Sequence, residues 1–254
     1  MSFLFHNFFY APLYNGLVLF INITPFHNVG LAVILFTCII KILLFPLSQQ
    51  SVKTQFEMKQ IEPEINEIKI KYKDDKRIQA EKTMQLYKDR GINPFAGIFL
   101  MLIQLPILIA LYWVFLKGGL PKIDETTIYT FTKIPNIINM SFFGTSVADK
   151  SVVFAVFVAI AQFLQMQITI PKTKKKETKN EDKNSFTDEL AKSMNMQMKY
   201  VMPVIMFFIA KSFPMVVSLY LITSSLFAVG QELYIRKRYK KEASNSGQEI
   251  KSLL

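Results

Sequence analysis

In the stretch FTCIIKILLFPLS, residues 36 to 48, Lys41 stands with hydrophobic residues on both sides. It precedes Pro46 by five residues, so in a helix it lies ~7 to 8 Å from the end of the apolar run at ~1.5 Å per residue. Other polar side chains interrupt later apolar runs: Gln104; then Gln162, Gln165 and Gln167; then Thr223, Ser224 and Ser225, followed by Gln231 and Glu232. None of these forms a nucleophile and base pair. His6 and His27 have no ligand partners nearby in sequence, no GxxxxGK[ST] phosphate loop occurs, and Cys38 is the one cysteine, which rules out a disulfide or a CxxC metal site. No covalent reaction, cofactor or metal is therefore expected. What such groups can do is non-covalent. In hydrocarbon a polar group is unfavourable unless it meets another polar group or water, so polar groups at one depth predict a wet cavity. Lys41 is its expected cationic wall, and Gln104, Gln162, Gln165, Ser224 and Gln231 its expected lining. Taken singly, Lys41 can snorkel to the interface, and Ser, Thr and Gln can bond helix to helix. The shared depth is what favours the cavity.

These positions require membrane-spanning helices to hold them. Of 254 residues 51% are hydrophobic, with 23 Phe, more than a soluble domain usually carries. A span needs ~20 mostly apolar residues. The chain offers span one at 28–47, span two at 93–116, span three at 151–171, and spans four and five within 199–235. The last region is too long for one helix and breaks at AKSFP, residues 210 to 214. Residues 1–27 lack Lys and Arg, and Pro12, Asn15, Gly16 and Asn22 interrupt their apolar run, so an amphipathic helix lying in the interface is expected there. The net charge of +11 concentrates in 48–92, 172–198 and 236–254, whereas 117–150 has few basic residues. By the positive-inside rule the N-terminus is outside and the C-terminus cytoplasmic, which makes 117–150 an extracytoplasmic loop, 172–198 a basic cytoplasmic loop and 236–254 a basic tail. Topology then accounts for most of the basic charge, and DNA is not an expected partner.

The segment 48–92 is charged and helix-prone. Met58, Ile61, Ile65, Ile68 and Tyr72 follow one another at spacings of three and four, and Ala80, Met84 and Tyr87 can pack on them, which predicts an antiparallel helical hairpin. Pro63 and the Asp74–Asp75 turn are its expected joints. Gly91 suits a left-handed helix stop, Asn93 a cap, and Pro94 the first turn of span two.

Three stretches carry a resemblance: GLAVILFTCIIKILLFPLSQQSVKTQFEMKQIEPEINEIKIKYKDD, YKDRGINPFAGIFLMLIQLPILIALYWVF and MPVIMFFIAKSFPMVVSLYLITSSLFAVGQELY. In this order they resemble the YidC-type membrane protein insertases, the superfamily that includes the Oxa and Alb proteins of organelles. The resemblance runs from about PLYNGLVLF to GQELYI. It implies an all-α polytopic membrane protein, with five core transmembrane helices around a cytoplasm-open hydrophilic groove and a cytoplasmic helical hairpin. It also implies an insertase that passes short polar tails of nascent membrane proteins through the groove and releases their hydrophobic segments into lipid. Nascent membrane proteins, membrane lipids and the ribosome, met through the basic tail and loops, are the implied partners, with a Sec-type translocon a candidate. The implied setting is a bacterial plasma membrane, in the minimal form without a large outer domain. Two departures stand out. Lys41 occupies the place where the family usually has arginine, keeping charge but losing the bidentate fork. FPMVVSLYLITSS also lacks the Gly-Leu and Trp-x-x-x-Asn features common after the family's Phe-Pro. The rival functions are a small-solute or ion transporter or channel, and an assembly chaperone without insertase activity. Five unrepeated spans and the lack of a buried acidic proton relay weigh against the transporter.

Overall fold

The computed structural model describes residues 3–116, 120–169 and 197–245. The described residues are mostly helical: α1 (Phe3–Ile23), α2 (Val29–Leu43), α3 (Phe45–Gln60), α4 (Glu62–Lys71), α5 (Lys76–Asp89), α6 (Ala96–Leu116), α7 (Val152–Thr169), α8 (Met202–Ser212) and α9 (Met215–Asn245). A short hairpin of β1 (Ser141–Phe142) and β2 (Thr145–Ser146) lies between α6 and α7. Phe3–Ile23, Val152–Thr169 and Met215–Tyr239 are each long and apolar enough to cross a membrane, and α2 with α3 passes the same test as a bent pair. The protein is an all-α polytopic membrane protein. Its backbone divides into two compact units, one of 1–42 with 106–233 and one of 43–105 with 234–254.

In the first unit α1 is continuous, and the residues expected to interrupt it are absorbed for identifiable reasons. Pro12 sits in the first turn of an α-helical segment that follows a π-helical turn at His6–Tyr10, where its missing N–H costs little. Gly16 leaves room for the Phe36 ring of α2, since a Cβ there would lie 2.6 Å from the ring. Asn15 and Asn22 reach outward to the backbone of the 120–150 segment. The Asn15 amide donates to the Thr127 carbonyl at 2.8 Å and its oxygen accepts from the Tyr129 N–H at 2.7 Å. Asn22 donates to the Lys133 carbonyl at 2.6 Å, and the Tyr14 hydroxyl accepts from the Asp124 N–H at 2.8 Å. Further along, Asn28 donates to Ser141, and Val29 N–H to Asn139. The same segment supplies carbonyls to the start of α9, with Met215 N–H donating to Asp149 and Val216 N–H to Val147. A helix start leaves its first N–H groups without intrahelical partners, so these bonds tie the loop to α9 where the helix most needs acceptors.

Small residues bring the spans close. Ala32, Ala155, Ala161 and Ala210 are buried on α2, α7 and α8, the usual composition where lipid leaves no hydrophobic drive and packing must hold helices together. α8 packs along α7, and the chain breaks at Phe213–Pro214, where Phe213 is extended, before α9 begins.

In the second unit α4 and α5 form an antiparallel hairpin with no buried residue on either arm. Arg90 and Glu64 pair at 2.7 Å, and the Gln79 amide donates to the Lys69 carbonyl at 3.2 Å. The helix break on the entering arm is at Ile61, which is buried, and Pro63, named as a joint from the sequence, sits two residues on in the first turn of α4. At the tip, the Asp75 carboxylate caps α5 by accepting from the N–H groups of Arg77 and Ile78, and Asp74 lies in the turn beside it. The hairpin ends as expected at Gly91, in the left-handed region at φ 65°, with Ile92 N–H donating to Tyr87 and Gly91 N–H to Lys88. The rings of Tyr234 and Tyr239 of α9 lie tilted against those of Phe45 and Phe56 of α3, and the Arg236 guanidinium lies over the Phe56 ring at 5.6 Å.

Candidate functional site

Lys41 is half-buried in the last turn of α2. Gln231 of α9, itself buried, reaches this turn and donates from Nε2 to the Lys41 backbone carbonyl at 3.2 Å. Of the expected lining, Ser224 is buried on α9 one heptad before Gln231, Gln162 and Gln165 are half-buried on α7, and Gln104 is half-buried on α6 in the other compact unit. The structure therefore joins Lys41 to Gln231, and it gives Gln162 a different neighbour: Ser225, whose hydroxyl donates to the Gln162 carboxamide oxygen at 3.1 Å.

Two turns further on, the Thr169 hydroxyl donates to the Glu232 carboxylate at 2.5 Å. The partners in both pairs are separated by 63 residues, and both pairs step by seven on each helix. Equal steps in the same direction mean that α7 and α9 run parallel and in register, with the seam facing inward once per two turns. The same offset, one heptad earlier on both helices, places Ala155 opposite Ser218, both fully buried. α9 thus carries two polar stripes. Ser218, Ser225 and Glu232 face α7, while Ser224 and Gln231 lie on the adjacent face, with Gln231 against α2. Sequence inspection missed the role of Ser225 and the pairing of Thr169 with Glu232; the repeated seven-residue spacing on both helices was the available signal. Glu232, one of the polar groups that the sequence sets within the last apolar run, is buried, at 6% exposure.

Beside this polar region α2, α7, α9 and the β-hairpin line an open apolar cleft of about 580 Å³, with Cys38, Phe142, Phe157, Leu219 and Leu226 among its walls. Outside the spans, the Thr126 hydroxyl donates to Asp124 at 2.6 Å and holds its carboxyl below the usual carboxylate range. Burial pushes the Tyr87 phenol up. Among the described residues no group of three or more His, Cys, Asp and Glu could hold a metal ion.

Of the polar set singled out in the sequence, the structure thus brings Lys41 and Gln231 into direct contact, through the Lys41 backbone. The model of the 60Kd inner membrane protein family matches residues 20–242. The chain belongs to this family. It is similar to the membrane protein insertase YidC of Francisella tularensis subsp. novicida (strain U112), at 31% identity over 213 residues, which is 84% of this chain and 33% of the relative. The same figures hold for the insertases of subsp. tularensis (strain SCHU S4 / Schu 4) and subsp. holarctica (strain LVS). The chain spans about a third of the length of the curated relatives it matches.

Proposed function

We propose that this chain is a membrane protein insertase. It lets the short polar tail of a nascent membrane protein enter a cytoplasm-open groove walled by Lys41, while the adjoining hydrophobic segment passes into lipid. The observation that carries this is Lys41 placed in the last turn of a span and fastened there by a buried glutamine of α9. Family membership and the insertase names of the relatives support it. A charge and amides at this depth lower the cost of moving polar groups across hydrocarbon, and the work is non-covalent. The five core spans, the N-out and C-in orientation and the closing of the outer side by the 120–150 segment belong to this proposal. So do Gln104, Gln165 and Ser224 as further lining. The bonds from Asn15, Asn22 and Asn28 to that segment support the closure.

Insertion into proteoliposomes, with tails of differing charge, tests the role of Lys41. Lys41→Arg is expected to keep the rate. Lys41→Ala is expected to slow acidic tails about fivefold, the worth of ~1 kcal/mol of attraction in hydrated surroundings, and Lys41→Glu to slow them further, with neutral tails little changed. Equal rates for all variants on an acidic tail would mean that Lys41 only snorkels. The buried Glu232 is the feature that favours a transporter. Ion or solute flux through the same proteoliposomes without substrate separates the two; none is expected, because the Glu232 carboxylate is engaged in the seam with Thr169.

A further inference from the structure

Lys41 lies in the last turn of α2, which ends at Leu43; α3 begins at Phe45, with Pro46 in its first turn. The final four carbonyls of a helix have no donor within it, and for the Ile42 carbonyl the residue four further on is Pro46, which has no N–H. The Lys41 carbonyl is one of these four. A donor reaches it from another helix: Gln231 Nε2, 3.2 Å away, from a side chain at 9% exposure on α9. A carbonyl only accepts, so the contact fixes which end of the Gln231 amide faces α2. On the neighbouring stripe, Glu232, the next residue, is held by Thr169, and Ser225 by Gln162, so the register of α9 is set independently from α7.

From this geometry we infer that Gln231 is a positioning residue, which caps the last turn of α2 from across the bundle and thereby sets the depth and direction of Lys41. It acts through the Lys41 backbone and need not touch the translocating tail. Without it, the turn that carries the cation loses a bond to α9 and can shift towards the Leu44 break. A residue that merely fills space would be replaced without loss by methionine, which has nearly the same shape and no donor. The inference rests on the proposed insertase function, and the test is arranged so that the two can fail separately.

The experiment uses the full chain in proteoliposomes and reads the ratio of initial insertion rates for an acidic-tailed and a neutral-tailed substrate. The neutral-tail rate reports whether each variant is folded. Gln231→Met is expected to lower the ratio about 2- to 10-fold, the range one hydrogen bond spans. Gln231→His, which keeps a ring N–H, is expected to restore most of it. In the double variant with Lys41→Ala, Gln231→Met should add nothing, because a misplaced cation and a missing one fail alike. If Gln231→Met leaves the ratio unchanged while Lys41→Ala lowers it, the positioning role is overturned and the groove cation stands. If Lys41→Ala itself leaves the ratio unchanged, the groove cation fails and the positioning role with it. Additive losses in the double variant also overturn the proposal, since Gln231 would then act on something other than Lys41.

Discussion

Asn15 shows how a single side chain can invert the meaning of a sequence signal. An asparagine within an apolar run looks like an interruption, but its partners Thr127 and Tyr129 lie 112 and 114 residues away, where no local pattern points. Besides donating to the Ala11 carbonyl in its own helix, it donates to one backbone group of the 120–150 segment and accepts from another, the pairing that an adjacent strand would otherwise supply. Asn15→Ala leaves a buried carbonyl and an N–H unpaired, and should cost about 1–3 kcal/mol of stability. Thermal unfolding in lipid, or limited proteolysis within 120–150, reads this, and a change below ~0.5 kcal/mol would show that the loop is held by other contacts. Close by, Asp124 responds to pH. Its carboxyl is held low by the Thr126 hydroxyl, and it also accepts from the Thr126 N–H and the Thr127 hydroxyl. A depressed folded value means a stabilising contribution fully present above the unfolded carboxylate range, ~4, and lost as pH falls through the lower folded value. Protease cleavage of the 120–150 segment should therefore rise below about pH 4. Asp124→Asn, which has no charge to lose, should flatten that rise.

At the scale of helices, local signals were legible and pairings were not. Gly91 could be assigned as a helix stop and AKSFP as a break because glycine, proline and the residues beside them act on their own backbone. The hairpin arms were legible from their apolar spacing, although the joint fell at Ile61, two residues before the proline that seemed to mark it, because proline is well placed in a first turn. Which polar residue on α7 meets which on α9 depends on a register between distant segments, and neither helix encodes that alone. Gln162 therefore looked like groove lining, and the structure places it in the seam with Ser225. The seam predicts opposite outcomes for one substitution made two turns apart. Ser218 has a fully buried hydroxyl without a hydrogen-bond partner, opposite Ala155, so Ser218→Ala removes an uncompensated polar group and should be neutral or stabilising. Ser225→Ala removes a donor from Gln162 and should destabilise by about 0.6–1.7 kcal/mol, the range for hydrogen bonds between membrane helices. Resistance to thermal unfolding in bilayers, measured for both, decides it; losses of the same sign and size would mean that the register assigned to the seam is wrong.

For the molecule as a whole, the basic surface raises the question of its partner. α9 continues beyond its apolar part to Asn245, and Arg236, Lys237, Arg238, Lys240 and Lys241 follow within it. Topology alone accounts for positive charge beside a span, but charge on a helix at a membrane's cytoplasmic face also attracts the phosphates of ribosomal RNA. Deleting everything after Ile235 would confuse the two, because Arg236 and Tyr239 pack against Phe56 and their loss would disturb α3. Lys237 and Arg238 are exposed and so offer a cleaner test. If this surface meets RNA, the double variant Lys237→Gln with Arg238→Gln should weaken co-sedimentation with ribosomes at low salt. It should also flatten the dependence of log affinity on log salt by about one unit for each phosphate that is no longer neutralised. Insertion of a substrate supplied free of ribosomes should not change, since these charges then have no RNA to meet. Unaltered ribosome binding with an unaltered salt slope would leave these charges as determinants of orientation alone, and the ribosome would then have to be met by another basic segment of the chain.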